Sequence, residues 1–246
     1  MRWKDRIGTF IPRYVPNRLV AGIMRLLNIL HRTSKKQVEK NRIHNTKILM
    51  ENADTSEMIS FYKPDGFVEN QSQWRDVHFG SKYTMAYGGC GIFAVYNALI
   101  ALGKKPDGSD MVKIISELER SGAVWGGKLG IAPYGMRKFF VRRGYRTHIC
   151  YSRDKSVIGI LGETYDTFIV TVYNDAKNIF RFVHNVSITK DERGRFRGHN
   201  CYKRRMLANG DSIFVSDGPH PGLWEAIHRM SDGKAEILSV IGIKAE

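Results

Sequence analysis

Cysteine is scarce in this chain: Cys90, Cys150 and Cys201 are the three among 246 residues. An odd set cannot all pair internally, and the wide spacing lacks the close Cys/His clusters of a zinc site. A disulfide-stapled scaffold is therefore not expected, a single internal bridge stays open, and a reducing, cytoplasmic setting fits best. Also absent is an uninterrupted apolar run of about 18 residues or more, the length that spans a bilayer. The most apolar stretch, Leu19 to Leu30, is broken by Arg25 and Asn28 and lacks a following small-residue cleavage site, so neither a spanning helix nor a cleaved signal peptide is expected. Acid is in short supply too. With 24 acidic against 39 basic residues the net charge is +15, which points to an anionic partner, nucleic acid or an acidic membrane surface.

The charge is unevenly placed. Residues 1–47 carry twelve basic residues against Asp5 and Glu39, ten of the fifteen net charges. Within this segment Leu19, Ile23, Leu26, Leu27 and Leu30 share one helical face, while Arg18, Arg25 and Arg32 recur every seven residues on another. Such a basic amphipathic helix either lies on an anionic membrane, docks on a partner, or packs its apolar face on its own domain. The polar stretch Thr33 to Asn45 reads as a linker or a solvated helix. A boundary is expected near Lys47 to Ser56, separating an N-terminal segment (1–50) from one globular domain (51–246). No nucleic-acid-binding signature accompanies the charge, so nucleic acid is the weakest of the partner readings.

Gly88-Gly89-Cys90-Gly91 leads into Ile92 to Leu102, a helix apolar on nearly every side and therefore central to its domain. Cys90 falls at the helix start, where free N–H groups and the helix dipole favour a thiolate, the nucleophilic form. A lone cysteine is more often plain packing. The flanking glycines argue otherwise, since they are expected to turn the backbone sharply and leave the sulfur uncovered.

The run from Gln71 through Trp74, Phe79-Gly80, Thr84 and Gly89-Cys90-Gly91, continued by Asn97-Ala98-Leu99, resembles the bacterial papain-like peptidases related to the bacteriocin-leader, double-glycine peptidase family. The resemblance covers about Phe67 to Ile243. It implies an α+β, papain-like fold, with the cysteine on a helical half and a histidine on an antiparallel sheet half. It also implies an oxyanion-binding glutamine ahead of the cysteine. Gln71 is assigned that role, with Gln73 as the alternative.

A nucleophilic thiol needs a base, and the base a group that fixes its tautomer. Strands are expected at Thr167 to Asn174, Ile179 to Thr189 and Arg195 to Tyr202, the last two joined by a turn at Asp191 to Gly194. That hairpin brings His184 and Asn200 together, the family's histidine and orienting asparagine. His199 with Asp217 is the competing pair. Further helices are expected at Met111 to Ser121, Met136 to Arg143 and Leu223 to Met230, with strands at Arg146 to Tyr151, Ser212 to Ser216 and Ala235 to Lys244. The resulting expectation is a cysteine peptidase or related acyl-transfer enzyme using Cys90, His184, Asn200 and Gln71 on a peptide or protein, with no metal or organic cofactor implied. A non-catalytic relative that binds a peptide or a membrane is the alternative.

Overall fold

The structure, a computed structural model, describes residues 14–51, 66–174, 183–230 and 236–245. Strands β1 (His78–Phe79) and β2 (Tyr83–Thr84) pair as a short hairpin ahead of the thiol-bearing helix. The centre is a six-stranded antiparallel sheet in the order β3 (Arg146–Cys150), β10 (Glu236–Lys244), β4 (Thr167–Tyr173), β5 (Val183–Lys190), β6 (Phe196–His199), β9 (Asp217–His220). The fold is α+β. β4 is buried at every position, as its run of β-branched and aromatic residues predicts for a strand covered on both faces. Its alternation divides the core: Ile169 joins the cluster around the apolar helix α4 (Cys90–Ala101), while Phe168, Val170 and Val172 join α7 (Lys155–Thr164) and α8 (Leu223–Arg229) on the other side.

On the first side, α5 (Gly108–Ser121) buries Met111, Ile114, Ile115 and Leu118, the face its sequence predicts. It starts with a capping box between Asp107 and Asp110. α6 (Pro133–Val141) begins three residues earlier than expected, with Pro133 at its first position, where a missing N–H costs nothing. Several elements were not expected, three of them in the second half of the chain. These three are α7, the strand β9, and β7 (Arg204–Met206), which pairs with β8 (Ser212–Phe214) in a separate exposed hairpin.

Two expectations for the N-terminal segment are corrected. Of the two readings of Thr33 to Asn45 the helix is the one found and the linker is not, and the helix is not wholly solvated: α2 (Lys35–Glu51) packs on α5 and buries Val38, Asn41, Asn45 and Leu49. Asn45 exchanges two hydrogen bonds with the backbone of His78, and Asn41 donates to the carbonyl of Gly80 and to Glu119. Residues 17–51 therefore pack as part of the same body, and no separation near Lys47 to Ser56 divides the described residues; 52–56 of that boundary lie outside them. The helix α1 (Asn17–Leu30) is present, but it docks through Asn17, Val20, Ala21, Met24 and Asn28, leaving the stripe Leu19, Ile23, Leu26 and Leu30 outward. The reason lies in the two asparagines. Asn17 donates to the carbonyls of Tyr151 and Ile237, and Asn28 to that of Ala123, supplying donors that an apolar face lacks.

Glu119 sits where α2, α5 and the Gly80 turn meet, wholly buried, with Oε1 accepting from Asn41 and from the Gly80 N–H. Burial pushes its carboxyl up to about 8, against the effect of those two hydrogen bonds. The folded chain thus keeps a proton that an unfolded carboxyl releases near 4.5. Stability from this site is full below that pH and declines as pH rises toward about 8. Glu119→Gln retains an acceptor for both donors and removes the titration. It is expected to melt like the parent at low pH and higher than the parent above about pH 8; parallel melting curves across that range would exclude Glu119 as the source.

Candidate active site

Cys90 opens α4, immediately after the short helix α3 (Met85–Gly88), with Gly89 between them in right-handed helical geometry. The glycines therefore do not make the sharp turn expected of them. They are there because the backbone is crowded. A Cβ on Gly89 would lie 2.5 Å from the Met85 carbonyl oxygen, and one on Gly88 2.9 Å from that of Gly127. On Gly91 it would lie 2.7 Å from Cβ of Ile131 and 3.2 Å from Nδ2 of Asn185. The helix start is thus pressed against the 126–131 loop and β5. Nor is the sulfur uncovered: Cys90 is only 5% exposed.

His184, near the start of β5, is a hydrogen-bond partner of the Cys90 thiol. Its Nε2 lies 2.9 Å from the main-chain oxygen of Asn200. A carbonyl only accepts, so Nε2 carries the proton and Nδ1 is the nitrogen left for sulfur. The asparagine thus orients the imidazole through its backbone, not through its side chain. Burial opposes charge on both groups, yet each holds the other's charged form. The thiol is kept below its usual pKa by the His184 hydrogen bond and charge and by Asn185, and the imidazole is kept above its usual value by Cys90 and the Asn200 carbonyl. Each group thus favours the charged form of the other, the thiolate of Cys90 and the imidazolium of His184. Tyr202 stacks on the His184 ring at 5.2 Å, and its phenol is pushed up to about 12 by burial and by the nearby sulfur charge.

Asn185 is a site residue that sequence reading missed. Fully buried, it places Nδ2 3.5 Å from the Cys90 sulfur, and its main chain adds a second hydrogen bond to the same atom. The hydroxyl of Thr171 on β4 donates to its Oδ1 at 2.7 Å, which turns the amide nitrogen toward sulfur. Asn185→Ala is expected to move Cys90 alkylation to higher pH by removing one donor to the thiolate; an unchanged pH profile would show that this contact does not act on the sulfur.

Gln71 and Asn200 are brought together, but on each other. The Asn200 side chain donates to Gln71 Oε1 at 2.9 Å and accepts from the Gln71 main-chain N–H at 3.2 Å, while Gln71 Nε2 donates to the Ala86 carbonyl. Gln73, the alternative, is exposed. The competing pair of His199 and Asp217 does not form. His199 Nδ1 lies 2.6 Å from Glu69, and its Nε2 lies 3.0 Å from the Thr189 hydroxyl. Asp217 faces Lys203 and His220. Glu69 also accepts from the Asn200 N–H at 2.9 Å, and the main chain of Val68 exchanges two hydrogen bonds with Asn97 on α4. Residues 68–71 thus tie the helix bearing the thiol to the loop whose carbonyl holds His184. Glu69 was also missed, because its partners His199 and Asn200 lie about 130 residues away and no local pattern links them.

No protein-family model matches the chain, and no curated protein matches it. Its chemistry is therefore read from the site. All three cysteines are free, and among the described residues no cluster of His, Cys, Asp and Glu is arranged to hold a metal ion. Cys201 is the internal contrast to Cys90: burial, with Glu69 and Asp217 adding negative charge nearby, pushes its thiol well above the usual value.

Proposed function

We propose that this protein is a papain-like, cysteine-dependent enzyme that cleaves or transfers amide bonds of a peptide or protein. The observation that carries the reading is the Cys90–His184 pair, in which a buried thiol is held below its ordinary pKa by an imidazole whose tautomer is set by the Asn200 carbonyl. An antiparallel sheet supplying the base to a thiol at a helix start supports the papain-like assignment.

In the proposed reaction Cys90 Sγ attacks the amide carbon, and the carbonyl electrons move onto oxygen. As the tetrahedral species collapses, the C–N bond breaks and the His184 imidazolium gives its proton to the leaving amine. The thioester that remains is resolved by water or by an acceptor amine, with His184 taking the incoming proton. Asn185, already donating to the sulfur, is within the first layer around the reacting atoms and is a better-placed polar donor than Gln71, whose Nε2 is bonded to Ala86.

A second reading, a non-catalytic peptide binder, draws on the low exposure of Cys90 and the engaged Gln71 amide. An activated acyl ester separates the two. A p-nitrophenyl ester is expected to release nitrophenolate in a burst and leave a thioester on the Cys90 peptide, with Cys201 unmodified. A folded protein that forms no adduct at Cys90, or acylates Cys201 equally, would reject the enzymatic reading.

A further inference from the structure

The outward stripe of α1 is unusual for a surface helix. Leu19, Ile23, Leu26 and Leu30, spaced four, three and four residues apart, are each about half exposed or more, from 49% at Ile23 to 64% at Leu30. They form one row about 16 Å long at the helical rise per residue. A contiguous apolar patch of this kind marks an interaction surface. The row cannot roll inward, because the opposite face is locked. Val20 and Met24 pack with Val124, Ala132, Tyr173 and Leu238; Asn17 is bonded to Tyr151, Ile237 and Arg153; Asn28 is bonded to Ala123 and Tyr134.

The charge around the row is of one sign. Arg18, Arg25 and Arg32 are exposed in a second row on its flank, with the Arg25 guanidinium 5.1 Å from the Tyr134 ring centre. A hollow lies at each end of the helix. The one at the N-terminal end is lined by Arg18, His148 and Arg153, the one at the C-terminal end by Arg32, Lys82 and Lys128, and neither is lined by a carboxylate among the described residues. Beside the second hollow Trp125 is 46% exposed, stacked on His31 with the Lys128 ammonium 5.1 Å over its ring. Aromatic and basic side chains bordering an apolar row match a bilayer surface, where the row enters the acyl boundary and the cations meet lipid phosphates.

We propose that α1 seats this protein on an anionic lipid bilayer through Leu19, Ile23, Leu26 and Leu30, with the basic hollows at its two ends holding lipid phosphates. A second copy of the chain fits this face poorly, because a two-fold contact would bring two arginine-flanked surfaces together. A row of four side chains is also narrow against the ~800 Å² per partner of a stable protein interface, whereas a bilayer demands no matching shape. The proposal rests on the packing of α1 and is independent of the reading of Cys90.

The test is sedimentation of the full chain with phosphatidylcholine vesicles, with and without phosphatidylglycerol, at low and high salt. The parent is expected to pellet with the anionic vesicles, to pellet little with the neutral ones, and to be released by salt. The triple variant Leu19→Gln, Leu26→Gln, Leu30→Gln changes only exposed positions and is expected to melt like the parent while partitioning at least tenfold less. Three outcomes overturn the proposal: failure of the parent to pellet with anionic vesicles; equal pelleting of parent and a folded triple variant; or a concentration-dependent dimer, measured by light scattering without lipid, that the same variant abolishes.

Discussion

In the proposed reaction, replacing His184 with alanine is expected to slow attack of Cys90 on an amide by about a hundredfold to ten-thousandfold, the range typical of losing a positioned general acid–base. The effect here combines two losses. The thiol loses the hydrogen bond and positive charge that offset its burial, so its pKa rises, and the leaving amine loses its proton donor. Cys90→Ala should remove thioester formation altogether. His199→Ala is expected to behave differently from both: with Glu69 Oε1 and the Thr189 hydroxyl deprived of their His199 contacts, it loosens the loop that presents the Asn200 carbonyl, lowering stability as well as rate. Activity and melting temperature measured side by side distinguish the roles. An unaltered rate in His184→Ala would move the base elsewhere.

Deleting residues 1–51 is expected to remove most or all of the stability of the fold. Val20, Met24, Val38 and Leu49 are all nearly buried, and each such side chain contributes about 1.5–3 kcal/mol on burial. Their sum is comparable with the 5–15 kcal/mol that separates a typical domain from its unfolded state, so about half or more is at stake before the asparagine contacts are counted. Glu119 would also lose Asn41, and the carbonyls of Tyr151, Ile237 and Ala123 their donors. Denaturant titration of the truncated chain checks this. A cooperative transition at the parent midpoint would show that α1 and α2 are dispensable.

The parts legible from sequence were those whose pattern is local. The wholly apolar stretch after Cys90 had to be a central helix, and the β-branched run Thr167–Tyr173 a buried strand. The Asp191 to Gly194 turn set the hairpin that brings Asn200 to His184. What pattern could not show was which polar atom does the work. Asn200 acts on His184 through its carbonyl, and its side chain is used on Gln71. For helix α1 pattern left open whether the apolar face meets a membrane, a partner or its own domain, because hydrogen bonding by Asn17 and Asn28 decides the orientation and no periodicity shows it. Helix α7 was missed because Gly159 and Gly162 weaken its local preference. At Gly162 the glycine serves packing, since a Cβ there would lie 3.1 Å from Leu223.

The pH dependence of iodoacetamide labelling, read residue by residue by mass spectrometry in the parent and in His184→Ala, tests the Cys90–His184 pair most directly. A thiolate held below the usual thiol pKa reacts at about pH 6, where an ordinary buried thiol does not. Cys90 in the parent is expected to label at that pH far faster than Cys201, and the His184→Ala substitution to shift the Cys90 profile to higher pH. Identical Cys90 profiles in the two proteins, or a parent Cys90 that labels no faster than Cys201, would contradict the account.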